Sequence, residues 1–414
     1  MMQQDSRKPR IAIIGGGAAG LMAAAEAASL PCDVTLFERN EKFGRKLGIT
    51  GKGRCNVTNA CGIPEFLENV PTNPRFLYAA LHAFSPADTM VFFEQHGVSL
   101  KVERGNRVFP VSDRAADIVN ALRHAMRCRT VHERVTEILQ KDGAVTGVRT
   151  VAGTVYPFDR VIVATGGKSY PVTGSDGDGY RFAETLGLRV IKPVPSLCPM
   201  ETEEDFCREL MGLSLRNVAI RFFDRESGKC VYSDFGEMMF THFGVTGPMI
   251  LSASACLPGM KRGRYEAIID LKPALDEKTL EKRLISEIAG MPNRNYGNML
   301  HALLPSKLVP VFARMTGIDA DRKCNGITRE ERLRVIRLLK GFPFTVSGFR
   351  PIEEAIVTKG GVCVKEIDPG TMECKTIRGL YFAGEVLDVD AYTGGFNLQI
   401  AFSTAVLAMR SAAE

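Results

Sequence analysis

Residues 11–20 read Ile-Ala-Ile-Ile-Gly-Gly-Gly-Ala-Ala-Gly, and the chain then reaches Leu36-Phe37-Glu38. A short apolar run turns into Gly15-x-Gly17-x-x-Gly20 and then into an Ala-rich stretch. Gly15 permits a tight strand-to-helix turn, Gly17 lets backbone approach a pyrophosphate, and Gly20 lets the helix pack close on the strand. The helix start at Ala18 and Ala19 presents free N–H groups and a positive dipole end to phosphate oxygens. Glu38, ending the next β-like run, can accept hydrogen bonds from a ribose diol. Strand, turn, helix and acid together predict an adenine-dinucleotide site. A secretory signal would need no three consecutive glycines, would not carry Glu26, and would leave Glu38 unexplained.

Outward from that turn, the 414 residues suffice for two or three domains. A net charge of +6 is spread over scattered Lys and Arg, which suits an anionic cofactor or substrate and gives no basic tract for nucleic acid. Eleven cysteines without a C-x-x-C spacing exclude the simplest zinc and dithiol sites. Reduced thiols make a cytoplasmic location the default. No apolar run reaches the length of a membrane span. No metal site and no nucleic-acid partner are expected, and oligomeric state is not encoded legibly.

The pattern predicts a strand at 11–14, a helix at 18–29, a strand at 33–37 and a long loop at 39–62. Ser85 to Asp88 reads as a capping box, Gly105-Asn106 as a hairpin turn, and Asp113 as a helix cap. Three β-like runs, 134–139, 144–150 and 154–157, lead into Arg160–Gly167, a buried strand with a Gly-rich end. A meander feeding such a strand fits an FAD domain; a plain nicotinamide domain would continue β-α-β. Residues 193–275 read as β-rich and 276–340 as helical, with a capping box at Thr328 to Glu331. Gly379–Glu385 is a strand ending at Gly384, and Gly394-Gly395 opens a terminal helix. The domains expected are a first FAD part at 1–191, an inserted β domain at 192–275 and 341–352, a helical subdomain at 276–340, and a second FAD part at 353–414. The fold class is α/β.

Two further segments carry chemistry. Strand end Gly384-Glu385, an acidic loop and the helix start Gly395-Phe396-Asn397-Leu398 would meet the ribityl and pyrophosphate groups and the flavin N1–C2=O edge, where negative charge gathers on reduction. Gly44 to Asn59 places Arg45, Lys46, Lys52 and Arg54 among four glycines, a composition suited to wrapping an anion. Lys46, Arg54, Cys55 and Asn56 within it, and Arg39 just before it, are expected cofactor contacts. Cys55 is read as a contact residue, with a redox thiol as the other reading.

With these segments in view, the sequence resembles the YhiN/BaiN-type flavoproteins, also known as aminoacetone-oxidase-like or NAD(P)/FAD-dependent oxidoreductases. The resemblance lies in Gly15–Gly20, KLGITGKGRCNVTN at 46–59, ATGGKSYPVTGSDGDG at 164–179, FTHFGVTGP at 240–248 and 381–401. It spans nearly the whole chain. It implies a glutathione-reductase-like, Rossmann-type FAD domain interrupted by a β-barrel-like insert with a helical subdomain. It also implies an oxidoreductase that exchanges hydride between flavin N5 and a small organic substrate, by enone C=C reduction with transient NAD(P)H or by amine oxidation. In related FAD domains the start of the meander, here Val135, holds adenine through backbone; Ala164, Thr165 and Gly166 end a strand beside adenosine and pyrophosphate.

His242, in Thr241-His242-Phe243-Gly244, is the candidate catalytic acid; a structural histidine fits the sequence equally. Tyr170, Arg107 and Tyr392 are further substrate-side candidates. No second Gly-x-Gly-x-x-Gly follows a strand in 190–350, so a separate nicotinamide domain is not expected. Two other functions remain open from sequence: a flavin-binding redox sensor or association protein, and an FAD-dependent RNA-modifying enzyme.

Overall fold

Strand β1, Arg10–Ile14, has apolar side chains on both faces, and Ile11, Ala12 and Ile13 are fully buried. Such a strand belongs inside a parallel sheet covered on both sides. In the computed structural model, which describes residues 8–414, β1 lies parallel to β2, Asp33–Phe37, on one side and to Arg160–Val163 on the other. Leu380–Phe382 and Arg129–Val131 complete the five strands at the two edges. Strand order therefore reverses at β1, and a ligand crevice opens at the carboxyl ends of such strands. This is the Rossmann-type core expected.

Helix α1, Ala18–Glu26, buries every residue from Ala19 to Ala25 and packs against the terminal helix Phe396–Ala413. It stops at Glu26 and continues as a 3-10 turn, Ala27–Ser29, short of the uniform helix expected to residue 29. The meander is present as Val135–Lys141, Ala144–Thr150 and Val155–Pro157, all antiparallel. Asp142 and Gly143 both take positive φ (51° and 72°), as a two-residue primed turn requires.

Three local expectations are corrected. Segment 39–62 is not a plain loop: it contains α2, Arg45–Ile49, a 3-10 turn Thr50–Gly53 and a two-residue strand Thr58–Asn59. Four glycines hid that helix, which is held by tertiary contacts. Leu47 is buried and Gly44 N–H donates to Gly16 O at 2.8 Å. Asp113 is no helix cap. Its φ is +54°, its carboxylate pairs with Arg54 and Lys101, and helix Ala115–Ala125 starts without a side-chain cap. The β-rich stretch 193–275 also contains a helix, Pro248–Cys256. Both expected capping boxes, Ser85/Asp88 and Thr328/Glu331, are formed.

The first compact unit runs to Ser196 and resumes over Pro351–Glu414; the second is Leu197–Arg350. Residues 192–196 belong to strand Val190–Ser196, which pairs with Val357–Val362 inside the first unit. The second unit is a closed antiparallel barrel of six strands in the order Met200–Thr202, Gly244–Thr246, Lys229–Phe240, Ser214–Asp224, Tyr265–Asp270 and Phe342–Phe349. Closure removes the unpaired edges of an open sheet. Inward Ile220, Phe222, Phe240, Ile269 and Phe344 share one core with helices Glu277–Gly290, Val309–Thr316 and Arg329–Lys340. Among the described residues, no helix is long and apolar enough to cross a membrane.

Candidate functional site

Three glycines of the opening turn have three different surroundings. Gly15 has φ +107°, and a Cβ there would lie 2.6 Å from Ala164 O, so turn and neighbouring strand are in contact. A Cβ on Gly20 would lie 1.8 Å from Gly15 O. On Gly17 it would meet nothing within 4 Å. The turn is thus closed on its protein side and open on one side, where a phosphate can approach. Gly17 is the N-cap of α1 and no side chain caps this end. N–H groups of Ala18, Ala19 and Gly20 therefore lack intrahelical partners.

Glu38 is buried at the end of β2. Its Oε2 accepts from Gly16 N–H at 2.7 Å, and its Oε1 accepts from Asn40 N–H (2.8 Å) and Asn40 Nδ2 (2.6 Å). Its first task is to hold the glycine turn. A carboxylate offers about four acceptor positions, so room remains for a hydroxyl. Arg39 donates to Asp176 Oδ2 at 2.6 Å and to Gly174 O at 2.7 Å. Arg134, at the start of the meander, reaches the same Asp176 and also Asp178. Arg39 thus ties β2 to the 174–178 loop, while Val135 stands buried beside that cluster.

Two cations of this loop have separate partners. Lys46 Nζ donates to Glu385 Oε2 at 2.7 Å and to Ser169 Oγ at 2.7 Å. Thr358 N–H donates to Glu385 Oε1 at 2.8 Å. These contacts join α2, the loop after Arg160–Val163 and the turn after Leu380–Phe382. Arg54 pairs with Glu103 and Asp113 and lies over the Phe109 ring at 4.2 Å. Cys55 is fully buried with φ +60°, and burial pushes its thiol up to about 12. Thiolate is the reactive form, so a redox thiol is disfavoured here. Alkylation with iodoacetamide at pH 8 is expected to modify exposed Cys230 and spare Cys55 in the folded protein; peptide mapping showing Cys55 among the first labelled would contradict this.

Asn56 Oδ1 and Thr165 Oγ1 are buried without a protein partner. An unpaired buried polar atom costs about 1–3 kcal/mol, and a polar cofactor along the crevice would satisfy both. Thr165 follows Ala164 at the end of its strand, and Gly166 takes φ +75° against Ser175. Gly384 N–H donates to Thr404 Oγ1 at 2.9 Å, and a Cβ there would lie 2.9 Å from the Ala19 methyl. The terminal helix begins with Gly395 as an uncapped N-cap at φ +99°, leaving N–H groups of Phe396, Asn397 and Leu398 available. Phe396 is buried edge-to-face on Phe66. Asn397 clamps the preceding loop: its Oδ1 accepts from Ala391 N–H and its Nδ2 donates to Ala391 O.

His242 lies in the second unit, exposed, its ring edge-to-face with Phe243 at 4.9 Å. Arg350 covers the Phe243 ring at 4.7 Å. Arg107 donates to Arg104 O at 3.0 Å. Tyr170 has φ +52°. Tyr392 N–H donates to Asn69 O at 3.0 Å. Sequence reading missed Ser169, Thr358, Arg134 and Gln399. Ser169 lies inside the quoted 164–179 motif and could have been found there; Thr358 has no local signal at all.

Residues 9–411 match the family described as HI0933-like protein Rossmann domain. A 3-dehydro-bile acid delta(4,6)-reductase of Clostridium scindens is 31% identical over 411 residues, covering 98% of this chain and 99% of its own. A ribosomal RNA dihydrouridine synthase of Haemophilus influenzae is 33% identical over 403 residues, covering 95% and 96%. Among solved structures, FrdA of Escherichia coli quinol fumarate reductase superposes with a TM-score of 0.52 at 16% identity, covering 98% of this chain and 70% of that one. At that identity the likeness concerns the fold.

Proposed function

Because the chain belongs to the HI0933-like family and is an FAD-dependent oxidoreductase, we propose that it reduces a carbon–carbon double bond conjugated to a carbonyl. The observation that carries this is an agreement between two full-length relatives of similar distance. A 3-dehydro steroid with delta(4,6) unsaturation is a conjugated ketone. Uridine becomes dihydrouridine by reduction of a ring double bond conjugated to a carbonyl. In such conjugated systems hydride adds to a carbon that the carbonyl makes electrophilic, β in an enone and β or δ in a dienone, and a proton completes the reduction.

FAD, when bound, supplies the two-electron carrier between NAD(P)H and the substrate. Open Gly17 and the first N–H groups of α1 would face the pyrophosphate, with Glu38 beside the ribose. Asn56 and Thr165 would satisfy polar atoms along the cofactor. N–H groups of Phe396 to Leu398 would stand at the pyrimidine edge, where a positive dipole stabilises added negative charge. Lys46 neutralises Glu385, so that turn would present backbone rather than net charge. His242 would donate the proton at the substrate carbon.

The test is anaerobic. Protein reduced with a stoichiometric reductant is mixed with a cyclic enone or a saturated ketone, oxidised protein is mixed with an amine, and flavin absorbance is followed. Rapid reoxidation by the enone alone is expected; equal rates with the saturated ketone would end the proposal. His242→Ala is expected to keep FAD bound and slow enone reoxidation by about 10²-fold or more, within the usual range for a proton donor. Unchanged single-turnover rates would return His242 to a structural role.

A second reading, the same reduction on uridine in RNA, is favoured by the name of the Haemophilus influenzae relative and fits the +6 net charge. The two part on one experiment. RNA treated with reduced protein either gains the mass of one hydrogen molecule at a uridine, or is unchanged while a small enone is consumed.

A further inference from the structure

We propose that Gln399 is a positioning residue for the flavin: it sets the orientation of the terminal helix start, and through it the reduction potential of bound FAD. This rests on the placement of the pyrimidine edge at Phe396 to Leu398 given above.

Gln399 lies one turn inside the terminal helix and is fully buried. Its amide makes four hydrogen bonds. Oε1 accepts from Thr58 Oγ1 at 2.6 Å and from Thr89 Oγ1 at 2.8 Å. Nε2 donates to Phe84 O at 3.1 Å and to Ser403 Oγ at 2.9 Å. Ser403 Oγ in turn donates to Phe84 O at 2.6 Å. Three segments, each more than 300 residues from Gln399 in sequence, therefore converge on its side chain: the strand Thr58–Asn59, the helix Pro86–Gln95, and the end of the helix Tyr78–Ala83.

The same strand also touches the helix start directly. A Cβ on Gly395 would lie 2.3 Å from Thr58 O, and Asn59 Nδ2 donates to Gly394 O at 3.1 Å. The helix can present its first N–H groups only in the direction that this contact permits. A fully satisfied buried amide network rigidifies its surroundings, and no part of this one is spent on solvent. Its loss would let the first turn tilt. A dipole contribution falls off within about one turn, so a small tilt is felt at the flavin edge.

The measurement is the two-electron potential of FAD-loaded protein, by equilibration with a reference dye. Gln399→Leu is expected to shift the flavin equilibrium about tenfold toward the oxidised form, about 30 mV more negative for a two-electron couple. Thr89→Val removes one donor at unchanged shape and should give about a threefold shift, with Thr89→Ser restoring the native value. A lowered melting temperature with an unmoved potential in both Gln399→Leu and Thr89→Val would make the network structural only and overturn the proposal. Should Gln399→Leu fail to bind FAD, the two Thr89 variants decide the matter alone. A shifted potential in a protein that reduces no enone keeps the positioning role and sinks the reaction class; an unshifted potential with enone turnover intact does the reverse.

Discussion

Gly20→Ala is expected to produce a protein that holds no FAD after dialysis and melts well below the wild type. The added methyl would stand 1.8 Å from Gly15 O, where a relaxed carbon–oxygen contact needs about 3.3 Å. Neither atom belongs to a flexible side chain, so α1 must move off β1 by more than an ångström. Alanine in a helix gains about 1 kcal/mol over glycine. Forcing a packed core apart costs about 1–3 kcal/mol and sometimes more. Here the clash is backbone against backbone, at a helix whose residues Ala19 to Ala25 are all buried, so the clash wins. A net loss of about 2 kcal/mol, the upper end of that cost less the helix gain, corresponds to a fall of roughly 4–8 °C in a unit of this size. The displaced helix start would also withdraw its N–H groups from the pyrophosphate. Native melting with stoichiometric flavin absorbance in this variant would show that the turn does not carry the site.

Glu38→Ala should lower both stability and FAD affinity. The change strands Gly16 N–H, Asn40 N–H and Asn40 Nδ2, all now held by one buried carboxylate. Hydrogen bonds to a charged group contribute about 1.5–3 kcal/mol each, and partial relaxation of Asn40 makes a total near 3 kcal/mol the expected loss. Asn40 Oδ1 also accepts from Arg45 at 2.8 Å, so the effect reaches α2. If about half of that loss falls on the bound state, FAD affinity drops about tenfold or more. Fluorescence titration of the apoprotein measures it. Equal affinity in Glu38→Ala and wild type would remove Glu38 from the site, whatever happened to the melting temperature.

Both predictions concern features that were readable early. Gly15, Gly17, Gly20 and Glu38 are fixed by short spacing within one β-α-β unit, and spacing of that kind admits few geometries. The capping boxes at Ser85 and Thr328 and the turn at Asp142-Gly143 were readable for the same reason: each is completed within four residues. The α2 helix was not. Its glycines argue against helix, and what holds it is Leu47 in the core and a hydrogen bond to Gly16. Asp113 misled in the opposite way, since a capping residue is indistinguishable from an ion-pair partner until Arg54 and Lys101 are placed.

The charges divide along the same line. Composition marked 44–59 as an anion-wrapping loop, yet Lys46 pairs with Glu385, 339 residues away, and Arg54 with Glu103 and Asp113. Gln399 carried no signal, because glutamine is mostly an exposed residue and nothing local marks this one as buried.

By itself, the sequence determined that a Gly-rich strand-turn-helix exists, where it lies, that Glu38 follows the next strand, and that the chain leaves and re-enters one α/β domain. Those are local matters, set by backbone conformation and by periodicity over a few residues. Only the tertiary structure decided which cation meets which carboxylate, that the barrel closes, and that Gly395 rests against Thr58. These depend on contacts between segments tens to hundreds of residues apart, where many partners are chemically equivalent and only packing selects one.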